Sequence, residues 1–132
     1  MAFKVVIDSA TKQPTLEPAW ISGDFDVPEP VAIAGGVVFA LSTGENTNQT
    51  TGAAHLYTGQ KLLTDAERSE NTKNAVLYAL DAKTGKVLYQ SGDTMTTWVH
   101  FSGLAVASGR VYTVDHDSRV YCFGLKERGK GK

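Results

Sequence analysis

The sequence predicts an all-β chain: short antiparallel strands in about two and a half successive four-stranded sheets, with one short helix in an insertion. Three observations predict it. Short apolar runs alternate with turns rich in Gly, Asp and Thr. The stretch Ala32-Ile33-Ala34-Gly35-Gly36-Val37-Val38-Phe39 repeats without gaps as Ala105-Val106-Ala107-Ser108-Gly109-Arg110-Val111-Tyr112, roughly 70 residues on. The runs Val37–Leu41 and Ala75–Leu80 are apolar almost throughout, as strands covered on both faces are.

Residues 2–7 form the first β-rich run, and Asp8 to Pro14 reads as a turn. Thr15 to Trp20 follows as a second strand. Pro18 within it cannot donate to a ladder, which predicts an edge position. Residues 21–30 are a loop carrying Asp24, Asp26, Pro28, Glu29 and Pro30. Two β-runs then flank Gly35-Gly36, a strong hairpin signal. Leu77 to Leu80 leads into Asp81-Ala82-Lys83-Thr84-Gly85-Lys86, which combines an Asx acceptor, a hydroxyl and a Gly free to take positive φ. Val87-Leu88-Tyr89 starts the return strand. Val76–Leu80 aligns with Arg119–Phe123 at a spacing of only about 43 residues. The difference between the two spacings locates an insertion at about 44–73. It starts polar and ends with Thr64-Asp65-Ala66-Glu67, a capping box that predicts a helix over 65–72.

The expected organisation is therefore two outer strands over 1–20 and a complete four-stranded unit over 21–90 with its insertion. A last unit lacking its outer strand follows over 91–125, then a basic tail over 126–132. The first hairpin reads as a degenerate copy of the one around Asp81. It has a longer turn, no turn Gly, and Trp20 standing where Tyr89 stands. Small residues at Ala32, Ala34, Ala105 and Ala107 suit a crowded innermost strand.

The chain of 132 residues is long enough for one domain with a core. With 13 basic and 14 acidic residues, no global field draws it to nucleic acid or membrane. No apolar run reaches the roughly 20 residues of a membrane span. Met1-Ala2-Phe3-Lys4-Val5 does not read as a signal peptide. The single Cys122 leaves no internal disulfide and no cysteine metal cluster.

Repeating four-stranded units with strands apolar on both faces point to propeller blades packed face to face. A two-layer β-sandwich, also built of many short strands, would show clearer alternation. Ala79, Asp81, Gly85 and Tyr89 fit the pattern Ala-x-Asp-x-x-x-Gly-x-x-x-aromatic. This resembles the tryptophan-docking repeat of pyrroloquinoline-quinone (PQQ) type β-propellers, with Tyr89 in place of Trp. The resemblance implies an incomplete β-propeller of PQQ-like repeats, in which this motif is architectural and locks one blade to the next. For a complete propeller it implies PQQ with Ca2+ on the axis and a periplasmic or secreted address. About two and a half blades cannot close a ring of four to eight. The implied partners are the remaining blades of a parent protein or other copies of this chain.

In an up-and-down meander the loops 21–30, 43–73, 91–101 and 115–118 share one rim. That rim gathers Asp24, Asp26, Glu29, Asp93, Trp98, His100, Asp115, His116 and Asp117. Trp98 and His100 are the cofactor-binding candidates, Trp98 by stacking on a quinone and His100 as ligand or acid–base group. Packing and a structural hydrogen bond are the competing roles. Asp115-His116-Asp117-Ser118 has the composition of a metal cluster and the position of a turn. Asp24, Asp26 and Glu29 read as a solvated loop face. His55 lies in the insertion without a nameable partner, and Asn48-Gln49-Thr50 is a glycosylation sequon. No Gly-x-Ser-x-Gly, phosphate loop, His-Glu-x-x-His, adjacent-cysteine pair or haem-attachment motif occurs.

Three functions are consistent with this pattern. One is the last part of a PQQ-dependent alcohol or sugar dehydrogenase. The second is a protein-binding scaffold, as in cofactor-free propellers such as the outer-membrane barrel assembly lipoprotein or kinase sensor domains, with the insertion at 44–73 as contact surface. The third, favoured because no catalytic residue can be matched, is a propeller segment that is non-catalytic by itself.

Overall fold

A computed structural model describes residues 1–48, 50–51 and 61–125. The chain is mostly β, in three antiparallel sheets of two, four and three strands. β1 (Ala2–Ile7) pairs with β2 (Pro14–Trp20). β3 (Ala32–Ala34), β4 (Val37–Ser42), β5 (Val76–Asp81) and β6 (Val87–Gln90) form a meander in that order. β7 (Ala105–Ala107), β8 (Arg110–Val114) and β9 (Val120–Gly124) form the third sheet. Among the described residues one α-helix, α1 (Asp65–Ser69), lies in the insertion. Its capping box is formed, Thr64 Oγ1 accepting from Glu67 N–H and Glu67 accepting from Thr64 N–H. The helix ends before the expected 72 because Glu70 is extended and Asn71 takes φ 60°. Among the described residues no helix is long and apolar enough to cross a membrane.

The register explains the core. Val38 pairs with Leu80 and Ala40 with Tyr78, so these four share one face of the middle sheet. Phe39 pairs with Ala79 and Leu41 with Leu77 on the other. Both faces are covered: Ala40 and Leu41, adjacent in sequence and opposite in direction, are both buried. On the first face the Phe25 ring lies 5.0 Å from Tyr78. On the second, Leu41 and Leu77 join Met95, Val99 and Val111 in the main core, with Tyr121 and Phe123 packed against it. The third sheet turns Val111 and Phe123, a cross-strand pair, toward that core. Its other face, with Val120 and Cys122, is open. The first sheet is open too: Phe3, Val5, Ile7 and Leu16 are 50–70% exposed.

The turn at Asp81 is built as its composition predicts. Asp81 Oδ1 accepts from the N–H of Lys83 and Thr84 and from the Thr84 hydroxyl, and Gly85 takes φ 71°. The first hairpin departs from expectation. Its turn is not longer: Asp8 Oδ1 accepts from Ala10 N–H, Thr11 N–H and the Thr11 hydroxyl in the same arrangement. Asp8 to Asp81 spans the same spacing as Ala32 to Ala105. Lys12, at φ 60°, occupies the Gly85 position. At the same sequence spacing the counterpart of Tyr89 is then Leu16, and Trp20 lies farther along β2, paired with Ala2 beyond a register shift. A bulge there turns Trp20 to the face opposite Pro18, toward the middle sheet. Its Nε1 donates to Ala82 O at 3.0 Å, and its ring covers Gly85 so closely that a Cβ there would sit 2.5 Å from Cε3. Tyr89 reaches the next sheet instead, its ring 6.5 Å from Phe123.

The alanines of β3 and β7 are not crowded. Ala105 and Ala107 are exposed and Ala32 and Ala34 half-buried, because these short strands are sheet edges with no further strand beyond them among the described residues.

Two substitutions probe these turns with opposite sign. Gly85→Ala adds a left-handed penalty and a clash with Trp20, and is expected to cost about 2–4 kcal/mol. Lys12→Gly removes a left-handed penalty at an exposed site and is expected to gain up to about 1 kcal/mol. Urea unfolding followed by Trp fluorescence checks both; equal effects at the two positions would contradict the shared turn geometry.

Candidate functional site

One cavity of about 370 Å³ opens on the predicted rim. Its walls come from three segments: the loop entering β3, the start of the insertion, and the loop entering β7. Thr43, buried at the end of β4, holds them together. Its N–H donates to Asp26 O, its hydroxyl donates to Val27 O at 2.7 Å, and its carbonyl accepts from Val99 N–H. Glu29 N–H donates to Leu41 O, fixing the first loop against the sheet. Two lining residues, Val27 (φ 42°) and Phe101 (φ 50°), are in the left-handed region, which costs a bulky side chain about 1–3 kcal/mol.

Two acidic residues, Glu29 and Glu45, line the cavity. Glu29 is 9% exposed and Glu45 7%. His100 Nδ1 stands 3.0 Å from Glu45 Oε1, an ion pair whenever the ring is protonated, although the approach does not meet hydrogen-bond geometry. The Glu29 carboxylate has no hydrogen-bond or ion-pair partner among the described residues. Thr43, Ser102 and Phe101 complete the lining the chemistry can use.

The residues singled out from sequence separate into distinct environments. Trp98 is 3% exposed and stacks on His116 at 4.2 Å, with His100 tilted against it at 5.7 Å. Neither Trp98 nor His100 lines the cavity; their neighbours Phe101 and Glu45 do. Asp26 pairs with Lys73 at 2.8 Å on the surface, and Asp24 and Asp93 are exposed. His55 and Gln49 of the sequon lie outside the described residues. Among the described residues no three His, Cys, Asp or Glu side chains converge as a metal site. The Trp98 ring is covered by His116 on the side where they stack. Thr43, Glu45, Phe101 and Ser102 were not legible as site residues. Glu45 sits in a polar, aperiodic stretch, and only the fold brings it to His100.

The insertion leaves the rim through a narrow neck. Lys73 N–H donates to Gly44 O at 2.7 Å, and Lys73 O fills the space a Cβ on Gly44 would need. Asn46 donates to Glu70 O, and Thr51 N–H to Lys61 O farther out.

Asp115-His116-Asp117-Ser118 is a turn. Asp115 N–H donates to Arg119 O and Ser118 N–H to Asp115 O. The buried Asp115 carboxylate accepts from Arg119 N–H and from the Tyr121 hydroxyl at 2.8 Å. Burial pushes this carboxyl up, but those donors and the Arg119 charge outweigh it and hold it below the usual Asp value. A depressed folded value stabilises the fold above the unfolded value near pH 4, and the contribution is lost as pH falls through the folded value. Asp115→Asn is therefore expected to cost about 1–3 kcal/mol at neutral pH and to flatten the acid side of a stability–pH curve. Parallel pH series of thermal melts on the two proteins check it; parallel curves would refute the assignment.

No protein-family model, no curated protein and no solved structure matches this chain.

Proposed function

We propose that this chain is a segment of a β-propeller of PQQ-like type, non-catalytic by itself, acting as a structural and binding scaffold. One observation carries the reading: equivalent residues of successive sheets face the same way. Tyr78 and Leu80 of the middle sheet look toward the first sheet's side, where Phe25 and Trp20 pack. Their repeat counterparts Tyr121 and Phe123 look toward the middle sheet. Sheets repeated by rotation in one sense behave this way. A sandwich turns two inner faces toward each other and leaves each sheet one outer face. The docking of Trp20 on the Asp81–Gly85 turn supports the same reading, since it joins one repeat to the next through the residues that carry the family resemblance.

The two open apolar faces fit a stack that continues at both ends, through further blades or other copies. Continuation through further chain favours a parent propeller; continuation through copies favours an assembly. The closed neck of the insertion favours a second reading within the scaffold class, in which the 44–73 loop is presented to a protein partner. The dehydrogenase reading draws no support from Trp98 or His100 as they are placed.

Light scattering coupled to size exclusion, with and without PQQ and Ca2+, tests the proposal. The expected result is association that rises with concentration through the open faces and ignores the quinone. A discrete oligomer formed only with quinone would replace this reading with the dehydrogenase one. A concentration-independent monomer would remove the stacked-blade reading.

A further inference from the structure

We propose that the groove between the second and third sheets binds a small flat aromatic molecule with an N–H donor, of the indole kind. The groove has a volume of about 610 Å³ and shares no lining residue with the rim cavity. Phe39, Leu77 and Ala79 wall it on the middle sheet and Val111 on the third. A comparison of the two joints between sheets points to its ligand. At the first joint, Trp20 Nε1 donates to Ala82 O and the indole covers the turn that follows β5. Arg119–Phe123 repeats Val76–Leu80, which puts Leu125 at the repeat position of Ala82. Gly109 stands at the position of Gly36, whose carbonyl accepts from Ala82 N–H. Leu125 and Gly109 both line the groove. The groove is therefore the second joint's equivalent of the ground on which Trp20 sits. No side chain of its lining repeats that indole: at the spacing that carries Asp8 to Asp81, Trp20 falls on Asp93. Asp93 is exposed in a 3₁₀ turn over Gly92–Thr94 and lies outside the groove.

The walls select the same kind of ligand as the repeat does. No charged side chain is among the residues that line the groove, which favours a neutral, largely apolar guest over an ion. Tyr89 and Phe123, with ring centroids 6.5 Å apart and planes tilted by 57°, bring two aromatic rings to it. A further ring joins such a pair edge-to-face or offset. Ala79, Gly109 and Gly124 carry little or no side chain and keep the cleft wide. The Leu125 carbonyl, at the repeat position of the one that takes the Trp20 proton, supplies the acceptor for a ring N–H. The volume falls within the range of small-ligand sites and admits a bicyclic ring with a short substituent. A second copy of the chain does not supply that ring. Trp20 is engaged at the first joint and Trp98 is buried, so the guest is a separate molecule.

The relation between the two joints carries this proposal, and the propeller assignment does not: a chain that fails to associate can still bind indole, and one that associates can fail to. The full chain is titrated with indole, followed by ligand-observed NMR. 1-Methylindole lacks the donor, 1-hexanol lacks the ring, and N-acetyl-tryptophanamide stands for a tryptophan side chain of a partner protein. Saturable indole binding is expected at roughly millimolar concentration or below. 1-Methylindole is expected to bind about two- to tenfold more weakly, and hexanol at least about threefold more weakly. Ala79→Leu fills the groove from its wall and is expected to weaken indole at least about tenfold. Its fold is checked by circular dichroism. Tyr89→Ala, at a half-exposed position, is expected to weaken indole about two- to tenfold, which keeps the idea testable should Ala79→Leu not fold. The proposal is overturned by no saturable indole binding, by 1-methylindole or hexanol binding as tightly as indole, by binding of N-acetyl-tryptophanamide alone, or by undiminished binding in both variants.

Discussion

The contact between Trp20 and the Asp81–Gly85 turn is the constraint on which the arrangement of the first two sheets depends. The first sheet has few other holds on the second: its strands are largely exposed, and their apolar residues mostly point away. A single indole supplies both the apolar cover and a directional bond to Ala82 O. Three local features have to coincide for it. The register shift near Ala2 turns the indole inward, Gly85 lacks the side chain that would exclude it, and Asp81 holds the turn so that the Ala82 carbonyl is presented. Ala82 N–H in turn donates to Gly36 O, so the same turn is also tied to the hairpin of β3 and β4. Docking and sheet integrity are therefore one mechanical unit.

Packing between the second and third sheets follows a different logic, with an apolar core in place of a single key residue. Leu41, Leu77, Met95, Val99 and Val111 are buried together. The connection between the sheets is laced on both sides. Ala75 N–H donates to Thr97 O and Val99 N–H to Thr43 O, while His116 N–H donates to Trp98 O. Backbone groups of a loop that would otherwise be stranded in the interior are thereby satisfied. Burial of Trp98 is a product of this lacing, which explains why an aromatic residue in a rim loop serves the core.

The strands, the hairpin turns and the short helix were legible because each has a local cause. Apolar runs make strands, Asp and Thr with Gly make the turn, and Thr64 with Glu67 caps the helix. The first hairpin departs from its sequence pattern because Lys12 hides a left-handed position that glycine usually marks, and because a bulge moves Trp20 off the simple period. Part of the site was legible in kind: Glu29, which lines the cavity, and His100, which stands behind Glu45, were among the rim residues. Their environments were not. Glu29 N–H bonds to Leu41 O, which draws its loop inward, and the pairing of His100 with Glu45 joins residues from two successive units. No periodicity encodes such a meeting.

The neck at Gly44 and Lys73 sets the terms on which this surface can change. Chain ends held within one hydrogen bond of each other make the intervening length thermodynamically inexpensive to vary, since closure entropy rises only with the logarithm of loop length. Substitution, lengthening or wholesale replacement beyond Asn46 and before Glu70 leaves β4 and β5 in the same register, because their pairing is completed below the pinch. The rim thus carries a region where sequence can diversify under different selection from the sheets that support it, and new recognition can arise there without refolding the scaffold.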